Sequence, residues 1–140
     1  MGSADSVRCP RFVADYIDSL RSRFGVETVI LFGSRARGEQ DQYSDWDLFV
    51  VAAGLAEWKQ RVKDVWEGKP PGVDVVAWTP GEVRRFIYRQ MILEIALEGV
   101  PLYGDIEWMR ELARQYVAKH PAMAPRTVDL AGVGAVASSV

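Results

Sequence analysis

The 140-residue sequence is poor in several features, and each scarcity excludes a class of protein. The single cysteine, Cys9, cannot form a disulfide within the chain and has no partners for a cysteine-rich zinc site. No apolar run approaches the roughly 20 residues that a membrane-spanning helix needs. The N-terminus lacks the apolar centre of a signal peptide. These absences predict a cytoplasmic protein without a membrane partner.

Charge of one sign is also lacking, since 17 lysines and arginines face 19 aspartates and glutamates. The net charge of -2 gives no field that would draw the whole protein onto nucleic acid. What is abundant is apolar: 49% of the residues are hydrophobic, which is typical of a packed domain. We predict one domain over residues 1–120. Two prolines and a run of small residues then predict a weakly ordered tail over residues 121–140.

Hydrophobic periodicity predicts alternating helices and strands. The predicted helices span residues 12–24, 55–67, 80–98 (with a break) and 105–119, and the predicted strands span residues 28–32, 46–52, 73–78 and 100–103. Thr79 is the predicted N-cap of the third helix, where Glu82 completes a capping box. In the second helix, the apolar residues Trp58, Val62, Val65 and Trp66 lie on one side. The first two strands are expected to pair antiparallel. The second and third strands, joined by a helix, predict a parallel pair with a right-handed crossover. The fold class is therefore α/β (α+β), with a small mixed β-sheet flanked by helices.

Two short motifs carry the chemical information. Gly33-Ser34-Arg35-Ala36-Arg37-Gly38 follows the first strand, and Ser44-Asp45-Trp46-Asp47-Leu48 opens the second. Asp45 and Asp47 are two residues apart on a strand, so they project from the same face. Adjacent carboxylates repel each other unless a cation lies between them, and a serine beside backbone amides suits a phosphate. The simpler alternative is that Asp45 and Asp47 are a strand cap and a surface acid. Ser34 by itself could be a helix N-cap.

A third carboxylate, Asp74, lies near the start of the third strand and is the only acid in an otherwise apolar run. Parallel pairing brings Asp74 to the same sheet edge as Asp45 and Asp47. Three carboxylates there predict a site for two Mg²⁺ ions, which prefer oxygen ligands and substrate phosphates. The rule that ligands bind at the carboxyl ends of parallel strands points to the opposite edge.

The spacing of Gly33-Ser34, Asp45-x-Asp47 and the later strand aspartate Asp74 resembles the DNA polymerase beta superfamily of nucleotidyltransferases. The fuller motifs, together with Glu98–Gly104, resemble the minimal nucleotidyltransferases of that superfamily. The order of elements extends this resemblance over residues 12–118. It implies a nucleotidyltransferase fold and an active enzyme, because all three carboxylates are present.

The resemblance also implies a role for each residue of the motifs. The pair Asp45 and Asp47 would bridge two Mg²⁺ ions, while Asp74 would hold the catalytic metal and help to deprotonate the attacking hydroxyl. Gly33 would let the backbone approach the triphosphate, and Ser34 would donate to its phosphates at the N-terminus of a short helix. The remaining candidates for binding the nucleotide are Arg35, Arg37 and Ser44. One of the two arginines would reach the triphosphate, and the other would brace the loop.

The resemblance implies a nucleoside triphosphate, most simply ATP, as the substrate, and AMP transfer to a protein or RNA hydroxyl. Such proteins are often antitoxins of HEPN-domain ribonuclease toxins, so a HEPN partner is expected, and nucleic acid is expected only as an acceptor. Two alternatives stay open: a non-catalytic protein that neutralises a toxin by steric contact, and a small-molecule (aminoglycoside-type) nucleotidyltransferase. The nucleotide, the acceptor and a homo-oligomeric state are not fixed by the sequence.

Other conspicuous residues have simpler interpretations. The three arginines of residues 84–89 are interpreted as a solvated helix face, in preference to an RNA-binding patch. The apolar residues of 86–97 are interpreted as core, with a partner interface as the alternative. Trp46 and Trp78 are expected in the core, and His120 on the surface.

Overall fold

A computed structural model describes residues 9–125 of the chain. It contains a four-stranded sheet and five α-helices within that range. In chain order these are α1 (Arg11–Phe24), β1 (Val26–Phe32), β2 (Trp46–Ala52), α2 (Trp58–Trp66), β3 (Val73–Trp78), α3 (Pro80–Arg85), α4 (Gln90–Glu98), β4 (Val100–Gly104) and α5 (Glu107–Lys119). The fold class predicted from the sequence is confirmed.

The sheet has the strand order β3-β2-β1-β4 and is mixed. Strand β1 pairs antiparallel with both β2 and β4, whereas β2 and β3 are parallel. Both predicted pairings are therefore correct. The parallel pair is joined through α2, which provides the crossover that parallel strands require.

Helices cover both faces of the sheet and create two cores. One core packs α1 and α2 against the odd-numbered residues of β1 and β3 and the even-numbered residues of β2. The other packs α3, α4 and α5 against the opposite face, around the fully buried Phe49 and Ile30. Trp78 belongs to this second core, where its ring contacts Phe49 and Phe86 edge-on. Asp47 lies on the same side of β2 as Phe49, so its side chain points to the sheet face that α4 covers.

The helices confirm most local predictions and correct one. Thr79 and Glu82 form the capping box that their spacing predicts, and the break in the following helix lies between α3 and α4. The apolar residues of α4 are mostly buried, so the core interpretation holds there. By contrast, helix α2 is shorter than predicted, and its side chains Trp58, Val62 and Trp66 are exposed. Only Val65 from that predicted apolar side enters the core.

The chain beyond α5 begins with a 3-10 turn at Pro121–Met123. Residues 126–140 of the predicted tail lie outside the described residues, so the tail remains a prediction. His120 is exposed, as expected, and stacks on Tyr116. Every helix within residues 9–125 is too short or too polar to cross a bilayer.

Candidate active site at one edge of the sheet

The sheet brings the predicted carboxylates to a single edge. Asp47 is the register partner of Asp74 on one side and of Phe32, the last residue of β1, on the other. Asp45 immediately precedes β2. The edge therefore combines the end of β1 with the starts of β2 and β3. Because β1 is antiparallel to its neighbours, its carboxyl end meets their amino ends, which explains why the rule for purely parallel sheets does not apply.

The carboxylates of this edge are close enough to affect one another. Burial raises the pKa of Asp47, and Asp74 and then Asp45 raise it further, while Arg37 lowers it. Asp47 is half-buried, but Asp45 and Asp74 are exposed at the open edge. Asp74 thus escapes the cost of burial that its apolar strand suggests. The mutual repulsion means that a cation at this edge would stabilise all three carboxylates.

A sharp turn at Gly33 fits closely against Asp47. Gly33 has a φ of 79°, and a Cβ added there would clash with Oδ2 of Asp47. Only glycine places the backbone this near the carboxylate without a clash. The Gly33 carbonyl accepts hydrogen bonds from the amides of Ala36 (3.1 Å) and Arg37 (3.2 Å).

Residues 33–38 form a hydrogen-bonded turn, and not the short helix that was expected after Gly33. The physical reason is Gly38, whose φ of 74° turns the chain away from helical geometry. The amide of Glu39 then donates to the carbonyl of Ser34 at 2.9 Å, which closes the turn. Ser34 itself is half-buried at the beginning of this turn, next to Gly33.

Arg35 braces the loop that joins β1 to β2. Its Nε and Nη2 atoms donate to the carbonyl of Ser44 at 3.0 and 2.8 Å, and its guanidinium lies 4.5 Å above the ring of Trp46. The Ser44 hydroxyl accepts from the amide of Asp41 at 3.1 Å. Arg35 and Ser44 therefore hold the loop in shape. Trp46, which was expected in the core, is half-buried beneath Arg35.

Arg37 has different contacts from those of Arg35. It forms an ion pair with Glu39 (Nε to Oε1, 3.0 Å) and lies near enough to Asp47 to lower the pKa of that carboxyl. It also lines a cavity of about 200 Å³, together with Gly33, Glu94 and Glu98. Of the two arginines, Arg37 is thus the one that acts electrostatically on Asp47.

Sequence reasoning missed the part that Glu94 and Glu98 play in this cavity. Glu98 belongs to the segment Glu98–Gly104 that resembles the minimal nucleotidyltransferases, so a signal was present. It gave no indication that the last turn of α4 packs beneath the Gly33 turn. Burial and the neighbouring Glu94 raise the pKa of Glu98, while Arg37 lowers it.

The residues at the edge fit a hard divalent cation by their chemistry. Within residues 9–125, no three carboxylate, imidazole or thiol groups converge as a ready-made metal site. The donor set is nevertheless all oxygen. The pKa of Asp47 is raised first by burial and then by repulsion from Asp74 and Asp45, and a cation would relieve that repulsion. Asp45, Asp47 and Asp74 are the residues that would hold such an ion, with substrate phosphate completing its coordination.

A mixed sheet that places paired aspartates beside a glycine-serine turn defines the class of nucleotide-transferring enzymes. Comparison with protein families makes the assignment specific. The model of the family described as "Nucleotidyltransferase domain" matches residues 13–103. The chain belongs to this family and is a nucleotidyltransferase, which confirms the resemblance found in the sequence. Among curated proteins, none matches the chain significantly.

Solved structures share the fold at low sequence identity. A putative nucleotidyltransferase from Sulfolobus solfataricus is 24% identical, with a TM-score of 0.55 over 74% of this chain and 86% of that one. A toxin-antitoxin structure with AMP-PNP is 20% identical, with a TM-score of 0.52 over 78% and 87% of the two chains. The toxin-antitoxin complex MntA-HepT is 18% identical, with a TM-score of 0.51 over 80% and 86%. At these identities the comparisons support the fold.

Proposed function

We propose that this nucleotidyltransferase moves AMP from ATP to a hydroxyl group of a protein or RNA, in the presence of Mg²⁺. The observation that carries the proposal is the convergence of Asp47 and Asp74 in register, beside the Gly33 turn, in a chain of the nucleotidyltransferase family. The carboxylates face the place where a triphosphate would approach the turn.

In the proposed reaction, the acceptor oxygen attacks the α-phosphorus in line, and the bond from that phosphorus to pyrophosphate breaks. Asp74, exposed at the start of β3, accepts the proton of the acceptor hydroxyl. Ser34 donates to the phosphates, while the Gly33 backbone admits them next to Asp47. Mg²⁺, when bound to the aspartates, neutralises charge on the entering and leaving oxygens. Positioning and electrostatic stabilisation then supply most of the rate.

The proposed acceptor is a HEPN-domain partner, with this chain acting as its antitoxin. Support comes from the solved structures of the same fold, among which are a toxin-antitoxin with AMP-PNP and the complex MntA-HepT. The small domain described here has helices on both faces and an open reacting edge. That edge is accessible to a hydroxyl presented by another macromolecule.

The test is transfer of label from α-labelled ATP to the product of the neighbouring gene, with Mg²⁺ present. Wild-type protein should label the partner, and the variant Asp45→Asn with Asp47→Asn should not. Asp18→Asn is the matched control, because Asp18 is an exposed acid of α1 that forms an ion pair with Arg21. Absence of transfer with every divalent ion, or transfer that survives loss of both aspartates, would refute the proposal.

A steric antitoxin is the second candidate, and one observation favours it. Helix α2 exposes Trp58, Val62 and Trp66 at intervals of four residues, which form a single apolar stripe. Exposed aromatic side chains of this kind are common in protein interfaces. The alternative interface, residues 86–97, is largely part of the core. Neutralisation of a toxin by a variant without transfer activity would support the steric candidate.

A further inference from the structure

Glu98 contains a buried polar atom without an assigned role. Its Oε2 atom is inaccessible to solvent and makes no hydrogen bond to any group within residues 9–125. Buried polar atoms almost always have a partner, so a lone carboxylate oxygen needs an explanation. Glu98 lines the cavity of about 200 Å³ that also contains Gly33 and Arg37, directly beside the proposed triphosphate position.

Arg37 is the cationic side chain of that cavity, and most of its donors are unused. A guanidinium has five N–H groups, and among residues 9–125 Arg37 makes one side-chain hydrogen bond, from Nε to Glu39. The pair with Glu39 lies at the surface, where ion pairs are weak and exchange readily. The hydrogen bond to Glu39 raises the pKa of Arg37, and Glu98 and Glu94 raise it further, so all three acids act on one guanidinium.

A triphosphate at the Gly33 turn would shift the position of Arg37. Arg37 already acts electrostatically on Asp47, which borders the same turn. Added negative charge there attracts the guanidinium inward and away from Glu39, and the buried oxygen of Glu98 is then the acceptor next to it. We propose that Glu98 is a positioning residue, whose buried carboxylate receives Arg37 and holds its guanidinium against the triphosphate. This inference rests on the proposed function of the site.

The inference is tested by measuring binding of AMP-PNP in the presence of Mg²⁺ by calorimetry. Glu98→Gln and Arg37→Ala should each weaken binding by about tenfold, the value expected for loss of one charge-assisted hydrogen bond. The double variant should be no weaker than Arg37→Ala alone, because Glu98 acts through Arg37. Glu39→Gln should not weaken binding. Glu94→Gln, an exposed acid of the same cavity, should change it by less than about threefold.

The ATP dependence of label transfer provides a second readout that a purely structural role would not change. Glu98→Gln should raise KM for ATP while kcat stays within about threefold of the wild-type value. Circular dichroism melts verify that each variant is folded, and Glu98→Asp, which retains the charge, provides a second variant. Unchanged binding in Glu98→Gln, or losses that multiply to about a hundredfold in the double variant, would overturn the inference alone. Wild-type protein that does not bind AMP-PNP would instead overturn the proposed function and this inference with it.

Discussion

At the scale of single residues, the fold disfavours the ionised form of the Asp47 side chain. Its pKa is raised by burial, Asp74 and Asp45. A carboxyl whose folded pKa exceeds its unfolded pKa contributes stability below the unfolded value, and that contribution is lost as pH rises through the folded pKa. At neutral pH the ionised Asp47 therefore destabilises the fold. The same repulsion is what a bound cation would relieve.

Asp47→Asn should make the protein more stable at pH 7 and inactive. Because Asp47 is only half-buried at the open edge, solvent screens part of the repulsion, and we expect Tm to rise by only roughly 1–3 °C. Transfer should fall by at least about a hundredfold. Thermal melts with and without Mg²⁺ verify the cause: Mg²⁺ should raise Tm of the wild type more than that of the variant. A lower Tm for Asp47→Asn at pH 7 would contradict this prediction.

Gly33 provides a test of the close approach between the turn and Asp47. Both Gly33 and Gly38 have positive φ values, 79° and 74°, so alanine at either position pays the same backbone penalty of about 1–2 kcal/mol. Only Gly33→Ala also places a Cβ against Oδ2 of Asp47, since a Cβ on Gly38 meets nothing within 4 Å. Gly33→Ala should therefore reduce transfer by more than about tenfold.

Gly38→Ala is the matched control for that substitution. Urea unfolding and transfer assays on both variants separate the backbone penalty from the clash at the active site. We expect Gly33→Ala to lose more stability and much more activity than Gly38→Ala. Equal activity losses in the two variants would show that the turn acts only through its backbone conformation.

The residues of the two motifs were predictable because they lie close together in the sequence. Gly33, Ser34, Asp45 and Asp47 lie within fifteen positions of one another, and the two-residue period of a strand fixes which side chains share a face. Glu98 was not predictable in this way, because its place in the cavity depends on how α4 packs beneath the Gly33 turn. Side-chain pairing across elements distant in sequence leaves no periodic signal.

At the scale of elements, Arg61 joins α2, β3 and α3. This residue is buried, and it donates to both carboxylate oxygens of Glu82 at 2.8 and 3.1 Å and to the carbonyl of Ala77 at 3.2 Å. Burial by itself raises the pKa of Glu82, but the hydrogen bonds from Arg61 and Thr79 outweigh it and hold the pKa below its usual value. One bidentate pair thus connects the crossover helix to the capping box of α3.

Arg61→Ala should destabilise the protein by about 3 kcal/mol, because it removes a buried partner and leaves acceptors without donors. Glu82→Gln retains the shape and most hydrogen bonds, so we expect a loss of about 1 kcal/mol at pH 7. The lowered pKa of Glu82 means that its stabilisation is present above the unfolded pKa and is lost as pH falls through the folded pKa. Urea unfolding between pH 3 and pH 7 measures both effects. Glu82→Gln should show a smaller loss of stability on acidification than the wild type, and an unchanged pH dependence would contradict this account.

The elements themselves were mostly predictable, and the exception is informative. The capping box of Thr79 and Glu82 and the apolar periods of α1 and α5 are local signals that tertiary packing did not override. Helix α2 differs, because its apolar residues lie on one side of the helix while only Arg61 and Val65 of that helix are buried. Periodicity shows that a helix is amphipathic, but it does not show whether the apolar side meets the protein's own core.

At the scale of the whole molecule, the position of the site follows from the topology. Antiparallel β1 brings the Gly33 turn to the edge where β2 and β3 begin, so the turn and the carboxylates meet at one edge of the sheet. The two pairings of β2 were predictable from the chain order and the crossover rule, whereas the position of β4 beside β1 was not predicted. Recognition of a partner depends on surface residues. The hydrophobic pattern that predicts the core therefore does not predict the partner.

The final prediction separates recognition of a partner from catalysis. The aspartates lie at the sheet edge, whereas the stripe of Trp58, Val62 and Trp66 lies on α2, so changes in one region should leave the other intact. The variant Asp45→Asn with Asp47→Asn should bind the product of the neighbouring gene as the wild type does, within about threefold in Kd, yet transfer no label. Binding is measured by calorimetry and toxin neutralisation by cell growth. If neutralisation is catalytic, the variant binds the toxin but does not protect the cell. Full protection by the variant would show that contact alone silences the toxin, and loss of binding would show that the aspartates form part of the interface.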